Sequence, residues 1–302
     1  MNHFIRDLLE KKPLVEQFLE KYPNCLSAFS FVNIFAWKDF FHFRFETIDG
    51  NLCVFAENDV GCFLYLPPLG KTISPRAVEE CFKIMDKTNR SSGMSRVENV
   101  HKQQLKFFPR KFYRYSLKGY EYCYYREDIA RLRGNSYKSQ RALYNYCAKN
   151  YPIRYVPFEP SMAAGCQLLY ERWAKNRLHK RQEEIYQHMI EENRQVHPAV
   201  MTFCRDLPLM GRVVMIGDAL KGYTFGYPLN DDMFCVLFEI VDLEVKGLAV
   251  YIFRALCADR ELQSYKFINV MDDFAMPGIQ QTKMSFKPVM LFPSYSITRV
   301  RV

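Results

Sequence analysis

The sequence predicts an α+β fold, an α/β sandwich built as two tandem domains, each a mostly antiparallel sheet flanked by helices. Three observations predict it. At roughly 100–200 residues per domain, 302 residues make two domains. A composition of 49% hydrophobic and 25% charged residues is that of a globular chain and excludes wholesale disorder. Both halves of the chain also repeat one order of elements: helices, then β-β-β-α-β-α-β. That repetition places the domains at 1–125 and 126–302, with 126–209 supplying connecting and leading helices.

In the first half, residues 1–41 read as helical. Leu14, Phe18 and Leu19 fall at helical spacing, and Ser27 to Phe41 is apolar on nearly all sides. Three strand-like runs follow, His42–Asp49, Asn51–Glu57 and Gly61–Leu66, and Asp49-Gly50 is a two-residue hairpin signal between the first two. Pro67, Pro68 and Gly70 stop the third run. Ser74 before Pro75 is a helix cap followed by a first-turn proline, and Val78, Cys81, Phe82 and Met85 give the stripe i, i+3, i+4, i+7. A strand near Met94–Val100, a short helix near His101–Phe108 and a strand from Phe112 to Tyr125 complete the half.

The second half is mostly helical from Arg126 to Leu209, broken at Tyr151-Pro152 by a strand-like run, Ile153–Phe158. Strands are expected at Arg212–Ile216, Lys221–Tyr227 and Met233–Val241, with turns at Gly217-Asp218 and Asn230-Asp231. A helix beginning near Gly247 places Ala249, Ile252, Phe253 and Leu256 on one face. A strand (Lys266–Met271), a helix (Pro277–Phe286) and a strand (Val289–Arg299) end the chain. Three antiparallel strands followed by α-β-α-β is the order of the GNAT acyltransferase fold, so two GNAT-like copies in tandem are expected. The alternative is two unrelated α+β domains that share an order.

The longest stretch without a charged residue, Cys25 to Trp37, is too short for a membrane-spanning helix. Charges at Arg6, Asp7, Glu10, Lys11 and Lys12 argue against a secretory signal. Ten cysteines, none in a CxxC pair and most within apolar runs, read as buried thiols of a reducing compartment, and the cytoplasm is expected. No metal site is expected, because neither the cysteines nor the six histidines cluster. There is no nucleophile elbow. A formal charge of +9 admits an anionic partner such as nucleic acid, a lipid headgroup or a phosphorylated small molecule.

Chemistry is expected where the fourth and fifth strands of the second copy diverge. Glu239 and Asp242 lie in or just beyond an apolar strand, where desolvation raises a carboxyl pKa and suits a general base; a strand residue paired with Lys or Arg is the alternative. Asn269, Asp272 and Asp273 stand at a strand exit, with Lys283 and Ser285 after them. They offer carboxylates to an amino group and a lysine to an anion, or else plain turn and capping chemistry. Arg131, Lys138 and Arg141 form a basic patch at the join of the halves that could hold phosphate, with Arg133 beside them. A second basic set, Arg172, Lys175, Arg177, Lys180 and Arg181, is interleaved with Tyr170 and Trp173. A solvated helix face is the default reading of both. The loop Glu244-Val-Lys246-Gly247-Leu-Ala249 carries the Gly-x-Ala half of a coenzyme A pyrophosphate loop, which makes Gly247 and Ala249 candidate cofactor contacts, although Glu244 would repel the anion.

At these residues the chain resembles the bacterial phosphatidylglycerol lysyltransferase C-terminal domain family, a tandem GNAT group. The resemblance runs from Ser27–Trp37 through Pro67-Pro68-Leu-Gly70 and Tyr122–Arg141 to Glu239, Asp242, Gly247, Asn269, Asp272-Asp273, Gly278, Lys283, Ser285 and Pro288. The sequence departs from the family pattern at Gln140 and Ala142, at Val270 and Met271, and at Gln280 and Gln281. The resemblance implies the fold and an acyl or aminoacyl transfer. Relatives fused to a membrane flippase move lysine or alanine from tRNA onto phosphatidylglycerol, and this chain is expected to be a stand-alone member without that portion. Three readings result. The first is an aminoacyl or acyl transferase drawing on aminoacyl-tRNA or a thioester, with anionic lipid headgroups as possible partners. The second is a coenzyme A-dependent N-acyltransferase, with acyl-CoA as donor. The third is a GNAT-fold binding module without catalysis.

Overall fold

The computed structural model describes residues 3–21, 24–89, 93–180 and 184–300. They form two compact units. The first gathers the described residues up to Glu121 with Met271–Pro277 and the stretch from Leu291; the second gathers Tyr122–Val270 and Gly278–Met290.

In the first unit α1 (His3–Glu10), α2 (Lys12–Glu20) and α3 (Phe31–Ala36) precede β1 (His42–Ile48), β2 (Asn51–Asn58) and β3 (Gly61–Leu64). Then come α4 (Pro75–Thr88), β4 (Arg96–His101) and most of β5 (Tyr113–Tyr125). The β1–β2 hairpin turns at Asp49 (φ 49°) and Gly50 (φ 77°), the paired left-handed conformations that such a two-residue turn requires. β2 is buried from Asn51 through Ala56 without alternation, as a strand covered on both faces must be. Every residue of α3 is likewise buried. In α4 the buried stripe is Ala77, Val78, Cys81, Phe82 and Met85, and Ser74 caps the helix by accepting the Ala77 N–H. β2 pairs antiparallel with β1 and β3, and β3 pairs parallel with β4.

The second unit holds α5 (Arg126–Arg131), α6 (Lys138–Asn150), β6 (Ile153–Pro157), α7 (Ala163–Lys180), α8 (Glu184–Thr202), β7 (Met210–Ile216), β8 (Ala219–Asn230) and β9 (Met233–Val241). α9 (Leu248–Cys257), β10 (Phe267–Asn269) and α10 (Pro277–Ser285) follow, and β11 (Met290–Arg299) ends the chain. β6, β7, β8 and β9 pair antiparallel in succession, β10 adds parallel to β9, and the end of β5 pairs antiparallel with β10. The result is a GNAT-like sheet in each unit.

One strand keeps different company from that expected. β11, read from sequence as part of 126–302, pairs antiparallel with β4, from Ser294↔His101 to Thr298↔Arg96, and clusters with the first unit. The partner lies some two hundred residues away in sequence, and no local pattern names it. The division before Tyr122, rather than after Tyr125, has a similar cause: the last residues of β5 hydrogen-bond to β10.

Candidate functional site

β9 and β10 pair only from Met233↔Phe267 to Cys235↔Asn269. β9 then continues to Val241 with no strand on that side among the described residues. This is the strand divergence that the element order predicts.

Within β9 the alternation of side chains breaks once. The β8 register shifts between Phe225, opposite Phe238, and Gly226, opposite Val236, so Leu237 is an extra residue on β9. A bulge reverses which side chains face which way. Phe234 and Val236 pack with Val250, Phe253 and Cys257 on the α9 side, and beyond the bulge Val241 packs there with Leu248 and Ile252. Phe238 points the other way and stacks on His197 of α8, with ring centroids 3.9 Å apart. Glu239 is thereby turned toward α9, between two apolar clusters.

The surroundings of Glu239 leave it uncompensated. The residue keeps some exposure, but its Oε2 is out of solvent contact and has no hydrogen-bond partner. Thr224, directly opposite on β8, has a buried Oγ1. Burial pushes the Glu239 carboxyl up to about 8, against the opposing influence of hydrogen bonding from Thr224. The Cys257 thiol is raised in turn, first by burial and then by the charge of Glu239. On the same sheet face Arg212 lies opposite Thr224, but it is fully engaged, 2.8 Å from Asp259 and 2.6 Å from Glu261. Sequence reasoning missed Thr224 and Arg212. The one available signal was their polarity at inward positions of otherwise apolar strands.

Asp242 is the paired residue of the alternative reading. Its carboxylate lies 2.7 Å from Lys221 Nζ and accepts the Glu244 N–H at 3.0 Å. Burial works to raise its pKa. The Lys221 and Glu244 hydrogen bonds outweigh that, together with the charges of Lys221 and Arg172, and hold it below the usual carboxylate range.

The loop to α9 does not fit a pyrophosphate. Gly247 has φ +85°, and a Cβ there would sit 2.3 Å from the Leu143 carbonyl oxygen. The glycine therefore serves close packing of α6 against the start of α9, and it meets a carbonyl where an anion needs a donor. Ala249 and Glu244 are exposed.

The remaining candidates fall into separate settings. Asp272 and Asp273 cluster with the first unit, whereas Glu239 and Asp242 belong to the second. Asp273 accepts the Ala275 N–H at 3.0 Å, a turn-forming bond. Asn269 is wholly buried at the end of β10. Lys283 Nζ donates to the Val270 carbonyl at 2.7 Å, and the Ser285 hydroxyl donates to the Thr282 carbonyl at 2.7 Å. Arg141 donates to the carbonyls of Leu132 (φ 47°) and Gly134, so it closes the left-handed end of α5. Arg131 pairs with Glu127 one turn earlier, and Lys138 is exposed. Arg181 lies outside the described residues.

A cleft of about 500 Å³ opens between α7 and the loop after β9, lined by Leu169, Arg172, Trp173, Lys175, Asn176, His179 and residues 242–244. Sequence reasoning named Arg172, Lys175 and Trp173 but not Asn176 or His179, which share that helix face. No helix among the described residues is long and apolar enough to cross a membrane.

Residues 20–298 match the protein family described as phosphatidylglycerol lysyltransferase, C-terminal. Among solved structures, a conserved protein from Bacteroides thetaiotaomicron is 21% identical with a TM-score of 0.84, covering 97% of each chain. L-PGS from Bacillus licheniformis is 16% identical (TM-score 0.66; 95% of this chain, 91% of that one). The C-terminal domain of a putative lysylphosphatidylglycerol synthetase from Agrobacterium fabrum is 10% identical (TM-score 0.68; 97% and 92%). These likenesses establish the fold. No curated protein matches the chain.

Proposed function

Because the chain belongs to the phosphatidylglycerol lysyltransferase C-terminal family, we propose that it is an aminoacyl or acyl transferase whose proton-transfer group is Glu239. The observation that carries the reading is the buried carboxyl, without a cation beside it among the described residues and raised to about 8, on the strand whose pairing with β10 gives out. Structural carboxylates of a core are paired. One left without a cation and tuned close to neutrality suits general acid–base work.

The acceptor hydroxyl or amine attacks the carbonyl carbon of an activated ester and forms the new C–O or C–N bond. Its proton passes to Glu239, the ester C–O bond breaks, and Glu239 returns the proton to the departing oxygen. Asp242, kept ionised by Lys221, supplies a fixed negative charge at the strand exit for a donor's ammonium group. The names of the family and of its structural relatives point to lysine as the group carried and phosphatidylglycerol as the acceptor. A thioester of coenzyme A is less well supported, since Gly247 serves packing.

The test is label transfer from radiolabelled aminoacyl-tRNAs to phosphatidylglycerol vesicles, with acetyl-CoA and amine acceptors run in parallel. Label in the lipid fraction that disappears in Glu239→Gln is expected. Transfer from neither donor, or transfer that survives Glu239→Gln, would overturn the reading.

A further inference from the structure

The cleft beside α7 is not explained by the chemistry assigned to Glu239. Arg172, Lys175, Asn176 and His179 recur at i, i+3, i+4 and i+7, so they share one face of α7. A helix face turned toward another element is ordinarily apolar. This one is polar and basic and borders open volume. The apolar face of the helix is at Cys166, Tyr170 and Ala174, with Leu169 at the cleft's edge.

The cleft wall carries two carboxylates, Asp242 and Glu244, as well as the cations, and the charge of Arg172 reaches Asp242. Among the described residues neither Arg172 nor Lys175 has a carboxylate within ion-pair distance. The one carboxylate deep in the wall, Asp242, is already neutralised by Lys221. Glu244, the other acid, is exposed. Two cations without a short ion pair among the described residues therefore stand beside Trp173, whose ring is held by Tyr170 at 5.7 Å and by the Arg177 guanidinium at 5.6 Å. Cations next to a fixed aromatic plane suit a phosphate joined to a flat ring. The Asn176 amide adds both a donor and an acceptor for a base edge. The volume, about 500 Å³, is that of a site for one small ligand.

We propose that the cleft between α7 and the loop 242–244 binds a nucleoside phosphate, with Arg172 and Lys175 holding the phosphate and Trp173 stacking on the base. The role of the site rests on the transfer reading: it would grip the nucleotide end of an ester donor while Glu239 handles the proton. Its occupancy does not depend on that reading and is measured without turnover.

The chain has two tryptophans, Trp37 and Trp173, so Trp37→Phe leaves Trp173 as sole reporter. Titration with AMP is expected to quench its fluorescence saturably. Adenosine and glycerol phosphate, each with half of the chemistry, should bind at least tenfold more weakly. Arg172→Ala with Lys175→Ala should weaken AMP at least tenfold, Arg172→Lys less than the double variant, and the distant Lys83→Ala not at all. A short oligoribonucleotide distinguishes a chain end, which would bind more tightly than AMP, from a free nucleotide, which would not; either result leaves the site standing. Absence of quenching up to millimolar AMP overturns the proposal, as does AMP binding indifferent to the double variant. Glycerol phosphate binding as tightly as AMP overturns the stacking and with it the nucleotide. If Trp37→Phe perturbs folding, the same titrations followed by isothermal calorimetry on the unmodified chain decide the matter. Binding without any transfer would sink the transferase reading alone, and transfer without binding would sink this one alone.

Discussion

The two units treat a buried carboxylate in opposite ways. In the first, Glu121 accepts both the backbone N–H and the hydroxyl of Ser27, at 2.8 and 2.7 Å. Glu98 in the same unit is met by Arg96 and, at 2.7 Å, by Lys118. Burial pulls the Glu98 pKa upward, yet those two cations bring it below the usual value. In the second unit burial acts on Glu239 in the same direction, but no cation answers it and the carboxyl climbs to about 8. One physical cause gives two outcomes, and the partner decides which. Glu98 and Glu121 are reconciled with the core around them. Glu239 is not, and an unreconciled charge is what a site of chemistry requires.

The largest effect should come from breaking that contrast at its centre. Glu239→Gln keeps the shape and removes the proton acceptor, so transfer should fall by roughly 10²- to 10⁴-fold. In the native protein the acceptor must be ionised, so the rate should rise with pH toward a limb near 8. Stability should move the other way. The folded carboxyl sits above its unfolded value of 4.5, so the protein binds more protons when folded than when unfolded between 4.5 and about 8. Stability is then full below 4.5 and declines as pH rises to about 8, by a few kcal/mol on linkage grounds (on the order of 4). Glu239→Gln should flatten that decline in thermal melts. A Glu239→Gln variant that keeps the native pH–stability slope would contradict the raised carboxyl, and one that keeps its transfer rate would contradict the proton-transfer role.

Gly247→Ala comes next. The side chain would meet the Leu143 backbone at 2.3 Å in a left-handed conformation, so about 1–3 kcal/mol of stability should be lost. Acetyl-CoA should not stabilise the native protein. A clear rise in melting temperature with acetyl-CoA would restore the anion-loop reading of this glycine.

In the first unit, Ser27→Ala removes a hydroxyl donor to a buried carboxylate and should cost about 2 kcal/mol. It should leave the pH–rate limb in place, because Glu121 has no part in the proposed chemistry. A limb that moved with Ser27 would erase the distinction between the two carboxylates.

Local signals made most of the fold legible. Asp49-Gly50 gave the hairpin, Ser74-Pro75 the start of α4, and the stripe from Val78 to Met85 its buried face, because each is decided within a few residues. The partner of β11 was hidden, because pairing Ser294 with His101 depends on where distant chain lies. The site divided along the same line. An acid within an apolar run foretold desolvation at Glu239. Nothing local foretold the extra residue at Leu237, which turns it toward α9, or the Leu143 carbonyl that accounts for Gly247. Arg141 read as a phosphate contact because its charge is visible in sequence and the carbonyls it closes upon are not.

The smallest effect sharpens the comparison most. Thr224 is the polar group directly across the ladder from Glu239, and its hydroxyl is buried. Thr224→Val is nearly isosteric and deletes one buried hydroxyl, so stability should change by no more than about 1 kcal/mol. Thr224 is also the sole influence that lowers the Glu239 pKa. Its removal should shift the ascending limb of the pH–rate profile upward by a fraction of a unit and leave the plateau rate unchanged. A structural threonine would lower the plateau or the melting temperature and leave the limb where it was. The position of the limb therefore tells whether Glu239 is the group that titrates.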